Sequence, residues 1–139
     1  MKSMFRISVL TFLVVAAPSL CFALMSIANV SKEQAKEMGM EVRSNAAGPN
    51  AVRVALEFET KGALKSFSRV DLEIRDGEKW VSAALRVDRS KPGRVIVSFA
   101  ADRANLDKST LRVVVQPGPR DMTGYDLRVK DFVDLEKVR

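Results

Sequence analysis

The chain has 139 residues, a formal net charge of +6 at neutral pH, one cysteine and no histidine. Histidine is the commonest metal ligand and the usual general base near neutral pH, so its absence argues against zinc and copper centres and against Ser-His-Asp or Cys-His catalysis. We therefore expect a protein that is not an enzyme and that holds no metal and no cofactor.

The first segment of the chain has the three-part layout of a secretory signal peptide. Lys2 and Arg6 provide a positively charged start, and residues 7–17 are almost entirely apolar. Cys21 and Ala23 place small residues at the two subsites of a cleavage site. The layout indicates export, and we expect the working protein in the periplasm or outside the cell of a bacterium.

Three segments follow from this layout. We predict a signal peptide over 1–23, a short helix or arm over 24–39, and a β-sandwich domain over 40–139. An uncleaved anchor, which would be the chain's only contact with a membrane, is the first alternative, although the apolar run is shorter than the roughly 20 residues of a membrane span. Lipid attachment at Cys21 is the second, but Pro18 and Leu20 match a lipoprotein site poorly.

The arm contains one helix signal. Ser31 and Gln34 have the spacing of a capping box, in which each side chain bonds the backbone of the other residue. We predict about two helical turns over 32–38, ended by Gly39. Because so short a helix is marginal alone, it needs to dock through its apolar side chains. These are Val30, Ala35 and Met38.

From Met40 onward, apolar residues recur at every second position, which predicts strands with one buried face. Gly- and Pro-containing turns separate these runs at regular intervals. The pattern favours an all-β fold, an antiparallel β-sandwich of six to seven strands, with a small closed barrel as the alternative. The predicted core is Leu56, Phe58, Leu72, Ile74, Leu85, Val97, Phe99, Leu111, Val113 and Leu127.

One connection resembles a known architecture. Residues 100–107 are similar to the crossover between late strands of immunoglobulin-like and fibronectin-like sandwiches, where a short helical turn buries a leucine. Leu106 would be that leucine. The resemblance implies an immunoglobulin- or fibronectin-like sandwich, and it implies no activity.

The pair Asp76-Gly77 predicts a two-residue type I′ turn between two strands. In that register Arg75 lies opposite Glu78, and Glu73 lies opposite Trp80. The second strand then sends its apolar positions inward, as a buried face requires. These positions are Val81, Ala83, Leu85 and Val87. A three-residue loop is the alternative, and it would bury Trp80 instead.

Trp80 is the only tryptophan and carries the first candidate site. Facing outward, it would stack on a sugar ring or anchor a protein, and we expect Glu73, Arg86 and Phe67 beside it. In the plainer interpretation Trp80 only covers the sheet, since isolated apolar surface residues are common.

The second candidate is an interaction patch at Ile96 and Val114. Both residues lie in runs that are apolar on both faces, 95–97 and 113–115, so both faces of those strands need a cover. Either the 24–39 segment or another protein would supply it. We favour the segment, because an open apolar patch promotes aggregation.

Our first functional hypothesis is an exported, non-enzymatic β-sandwich module that binds another envelope or secreted protein, or that stabilises an envelope assembly. The alternative is a carbohydrate- or peptidoglycan-binding module that uses Trp80. We expect no nucleic-acid partner, because basic and acidic residues are interspersed and no basic block is present.

Overall fold

The computed structural model describes residues 25–76, 79–82, 85–134 and 136–138, without the side chains of 76 and 79–82. The predicted signal peptide and its cleavage site therefore lie outside the described residues, as do Gly77, Glu78 and Ala83. Within the described chain, no helix is long and apolar enough to cross a membrane.

Nine strands make up most of the described chain. In chain order they are β1 (Met25–Asn29), β2 (Glu41–Ala46), β3 (Ala51–Glu59), β4 (Phe67–Asp76), β5 (Lys79–Ser82), β6 (Arg86–Asp88), β7 (Arg94–Asp102), β8 (Ser109–Gly118) and β9 (Asp121–Arg128). The helices are α1 (Lys32–Glu37), α2 (Arg103–Leu106) and α3 (Val129–Phe132), with a 3-10 turn over Gly62–Leu64.

The strands form two sheets that pack face to face. The front sheet has the order β1-β9-β8-β4-β5, and the back sheet has the order β2-β3-β7-β6. This confirms the predicted all-β sandwich, with more strands than the six to seven expected. The immunoglobulin- or fibronectin-like connectivity stays a prediction.

The core fills the space between the sheets. In the front sheet Leu111 lies between Leu72 and Leu127, and in the back sheet Leu56 lies opposite Val97. All these side chains are buried in one apolar cluster, as their alternation predicts. Every residue of the predicted core belongs to that cluster or packs against it, with Ile74 and Leu85 only partly buried.

The crossover between the sheets contains the predicted helical turn. α2 connects β7 of the back sheet to β8 of the front sheet, and Leu106 is fully buried. The backbone N–H of Arg103 donates to the Asn50 carbonyl at 2.9 Å, which ties the start of the turn to the neighbouring loop. The expectation of a buried leucine at this point is confirmed.

The short helix α1 forms as its capping pattern predicts. The Gln34 backbone N–H donates to Ser31 Oγ at 3.2 Å, and the Ser31 backbone N–H donates to Gln34 Oε1 at 2.9 Å. Gly39 ends the segment with a φ of +79°, a conformation that side chains disfavour. Ala35 and Val30 are buried, so the helix is docked on the domain.

The segment before α1 is a strand and not only an arm. β1 pairs with β9 in parallel, with Met25 opposite Met122 and Asn29 opposite Asp126, so the sandwich is not wholly antiparallel. Its five residues, MSIAN, are mostly small or polar and show no clear alternation. Period-based reasoning therefore could not distinguish this strand from a loop.

The β4–β5 hairpin has a register different from the predicted one. Arg75 lies opposite Trp80, and Glu73 lies opposite Ser82, so the predicted pairs of Arg75 with Glu78 and of Glu73 with Trp80 are wrong. Asp76 pairs with Lys79, which places the two connecting residues one position later than expected. The side chain of Trp80 lies outside the described residues, so its exposure stays a prediction.

The strand predicted to continue through Val87 is divided between the two sheets. β5 ends at Ser82 in the front sheet, and β6 begins at Arg86 in the back sheet. Val87 lies opposite the buried Val97, yet it is 44% exposed. Because β6 is an edge strand, no described strand lies beyond Val87 to cover it, and the prediction that it is buried is wrong.

Candidate binding face

The side of the front sheet that faces away from the core carries a group of charged residues next to apolar ones. Since Leu111 and Leu127 point into the core, the residues that alternate with them point outward. We call this surface the outer front face. It comprises Ile27, Asn29, Arg69, Asp71, Glu73, Arg112, Val114, Gly124 and Asp126.

A two-pronged ion pair lies at the centre of this face. Arg112 Nε donates to Asp126 Oδ1 at 2.7 Å, and a terminal guanidinium nitrogen donates to Oδ2 at 3.0 Å. The other terminal nitrogen is 3.6 Å from Glu73 Oε1. The hydrogen bond to Asp126 raises the pKa of Arg112 above its ordinary value despite partial burial. This geometry fixes both side chains, which makes the pair a rigid feature of the surface.

Gly124 leaves space for the side chain of Arg112 in this ion pair. It lies beside the Arg112–Asp126 pair on β9, and a Cβ at this position would be 3.0 Å from Arg112 Cδ and 3.0 Å from Met25 Sδ. Such contacts are tighter than nearly all real ones, so any larger residue would push these two side chains aside. The absence of a side chain at Gly124 thus lets the stem of Arg112 lie across the sheet.

An apolar strip adjoins the ion pair. Ile27 lies opposite Gly124 on β1, and Val114 lies opposite Gly124 on β8. Val114 is fully buried, whereas Ile27 is 52% exposed. Fixed polar groups therefore lie next to an exposed apolar side chain on the same face of the sheet.

A cleft of about 710 Å³ opens at the end of the front sheet. Its lining includes four basic side chains, Arg75, Lys108, Arg128 and Lys130, and two acidic ones, Asp107 and Asp126. Lys108, Arg128 and Lys130 are exposed, and none of the three forms an ion pair with a carboxylate in the described part of the chain. The cleft is therefore a locally positive surface.

The structure does not bring the four residues of the predicted Trp80 site together. Glu73 and Trp80 lie on neighbouring strands of the front sheet, but Arg86 lies on β6 of the back sheet. Phe67 packs into the sandwich, with its ring centroid 5.2 Å from that of Phe58. Alternation alone could not reveal this separation, since it does not tell which sheet a strand joins.

The two residues of the predicted interaction patch also lie apart. Val114 is on the outer front face, and Ile96 is half-buried on the back sheet, opposite Glu57. The side chain of Met25 lies over Gly124, next to Val114, so part of the local cover comes from the segment that precedes α1. The other apolar residue, Ile96, has charged neighbours in register on both sides, Glu57 and Asp88.

Sequence reasoning did not identify Arg112 or Asp126 as site residues. The signal that could have found the pair is their register, since Arg112 lies opposite Asp126 on adjacent strands. Among the described residues, no group of three or more Cys, Asp or Glu side chains is placed to hold a metal ion. Comparisons of the chain with family models, with curated proteins and with solved structures find no match.

Proposed function

We propose that this chain is an exported, non-enzymatic β-sandwich module that binds another protein of the cell envelope or the extracellular space. The observation that carries the proposal is the outer front face, where the fixed Arg112–Asp126 pair lies beside the exposed Ile27.

The composition of this face supports protein binding in two ways. Protein interfaces combine apolar contact with polar groups that need little ordering on association, because each immobilised side chain costs free energy. Arg112 and Asp126 are already held by two hydrogen bonds, so a partner would meet them in a fixed geometry. Ile27 adds exposed apolar area, and covering this area with a partner would make the free energy of binding more favourable.

The same geometry argues against a catalytic role for the central carboxylate. A general acid or base needs a proton that can move to or from a substrate near neutral pH. Both Asp126 oxygens instead accept hydrogen bonds from Arg112, so they are already engaged within the protein. We therefore assign this pair a role in recognition and not in chemistry.

A carbohydrate- or peptidoglycan-binding module is the second candidate, and one observation favours it. Trp80 lies in register opposite Arg75, and Arg75 lines the basic cleft. A tryptophan beside a polar cleft is a common arrangement for stacking on sugars. Under this alternative, addition of soluble peptidoglycan fragments would quench or shift the fluorescence of Trp80, the single tryptophan.

The test compares two matched surface variants of the exported protein. Ile27→Asp places a charge on the outer front face, and Val87→Asp places the same charge on Val87, a second large apolar residue that is exposed among the described residues, on the back sheet. Each protein is immobilised and used to capture crosslinked proteins from its own envelope fraction. We expect a protein captured by the native chain and by Val87→Asp but lost with Ile27→Asp.

Equal capture by both variants would refute a role for the outer front face. Capture of peptidoglycan alone, with a response of the Trp80 fluorescence, would replace the protein-binding proposal with the carbohydrate-binding one. Thermal unfolding of both variants checks that the loss of capture does not come from a loss of fold.

A further inference from the structure

We infer that the basic cleft at the end of the front sheet binds an extended acidic segment of the partner protein. The inference rests on the proposed function and names the chemistry of the partner. It starts from the uncompensated charge of Lys108, Arg128 and Lys130, which line the cleft together with Arg75.

The charge balance of the cleft favours an anionic ligand. Of its two carboxylates, Asp126 is neutralised by Arg112, which leaves Asp107 against Lys108, Arg128 and Lys130. Elsewhere on the described surface, basic residues such as Arg69 and Arg94 lie beside carboxylates, at 3.2 and 3.0 Å. Opposite charge on a partner gains at the cleft, because it need not displace a carboxylate from Lys108, Arg128 or Lys130.

The width of the cleft leaves room for an extended chain. Arg128 lies on β9 and Arg75 on β4, with β8 between them. At a strand spacing of about 4.8 Å, their backbones are roughly 10 Å apart. An extended peptide presents side chains on one face about every 6.8 Å, so two acidic residues in alternate positions fit within that width.

The edge of the front sheet favours a peptide over other polyanions. Asn29, the last residue of β1, lines the cleft, and of the described strands β1 pairs with β9 alone. A segment leaving the cleft along β1 can pair its backbone with that edge, as in recognition by strand addition. The same segment would then pass Ile27, which lies two residues before Asn29 on β1. An apolar residue next to the acidic ones in the segment would contact Ile27.

Fluorescence anisotropy with labelled peptides tests the inference. The probe alternates glutamate and serine and ends in leucine, and the matched control peptide carries glutamine in place of glutamate. The cleft variant is K108Q/R128Q/K130Q. The control variant is K32Q/K36Q/K65Q, which removes the same charge from three exposed lysines away from the cleft.

We expect the native chain and the control variant to bind the acidic probe alike. The cleft variant should bind at least about tenfold more weakly, which corresponds to about 1.4 kcal/mol. The glutamine peptide should bind as weakly as the acidic probe binds the cleft variant. An acidic probe N-methylated at alternate residues should also bind more weakly, because it cannot donate to β1.

Three results would overturn the inference. Equal losses in the two triple variants would show that only net charge matters. Full competition by inorganic phosphate would indicate a single-anion site, and tighter binding of polygalacturonate or of phosphatidylglycerol vesicles would indicate another class of polyanion. The proposed function is judged separately, since capture lost with Ile27→Asp but retained by the cleft variant would refute the cleft and keep the protein-binding role.

Discussion

The outer faces of the two sheets both carry ion pairs, but they hold them differently. On the front sheet, the side chains of Arg112 and Asp126 are only 20% and 11% exposed. On the back sheet, the side chains of Arg43 and Glu41 are 69% and 59% exposed. Arg112 lies on β8, which has strands on both sides, whereas Arg43 lies on the edge strand β2. Burial and a second hydrogen bond fix the Arg112–Asp126 pair, whereas a single hydrogen bond holds the exposed Arg43–Glu41 pair.

This difference separates a surface suited to recognition from one suited to solubility. Exposed pairs contribute little to stability and move freely, since water and salt screen them. A partly buried, two-pronged pair holds its shape and resists screening. Under the proposed function, the specificity of binding would come from the outer front face, and the charges of the back sheet would mainly keep the protein in solution.

The largest expected effect tests the core that both sheets share. Phe58 is buried in the back sheet and contacts Phe67 of the front sheet, so Phe58→Ala should lower the free energy of unfolding by about 3–5 kcal/mol. Ile96→Ala, on the outer side of the same sheet, is the control and should cost much less. Urea denaturation measures both, and equal losses would mean that the sheets do not share one core.

The next effect compares the two kinds of ion pair directly. Asp126→Asn removes the two-pronged carboxylate from Arg112 and should cost about 1.5–3 kcal/mol, as for hydrogen bonds to charged groups. Glu57→Gln, which weakens the partly exposed pair with Arg94, should cost under about 1 kcal/mol. Urea denaturation measures the loss of unfolding free energy for each variant. Equal losses, or losses that added salt reduces equally, would contradict the difference between the two ion pairs.

A third variant tests the room that Gly124 leaves for Arg112. Gly124→Leu should displace the side chains of Arg112 and Met25 and cost about 1–3 kcal/mol, the usual effect of overpacking. Ser98→Leu makes a similar change at an outward position of the central strand β7 and is the control. Chemical denaturation that finds Gly124→Leu as mild as the control would show that Arg112 does not need this space.

The smallest expected effect is a loss of stability in acid that comes from Asp88, on the edge strand β6 of the back sheet. The Ser90 backbone N–H donates to Asp88 Oδ1 at 2.8 Å, and this hydrogen bond lowers the pKa of Asp88 below its ordinary value of 3.8. The stabilisation is therefore present above pH 3.8 and is lost as the pH falls through the lowered pKa. Stability curves of the native chain and Asp88→Asn should converge in acid, and a constant difference would contradict this.

The sequence could predict those parts of the fold that depend on local patterns. The capping box of Ser31 and Gln34, the buried Leu106 and the inward alternation of the core strands all follow from short-range rules, and all are present. These features need no knowledge of which strands are neighbours, because each depends on residues close in sequence.

Pairing between strands was the part that the sequence could not supply. Counting back from the turn after β8 would miss the Arg112–Asp126 pair, because the register shifts by one between Val115 and Gly118. The same limit applies to Arg86, which alternation places next to Trp80 although the chain changes sheets between them. The candidate site depends on such pairings, so it was less predictable than the core.

The parallel pairing of β1 with β9 also constrains the order in which the domain can fold. The first described strand joins the last one, and nearly the whole described chain lies between them. Closing so long a loop is entropically costly, and contacts distant in sequence form slowly. β1 therefore has no native partner until the chain has been synthesised through β9. The domain therefore reaches its final form only after synthesis of its last strand.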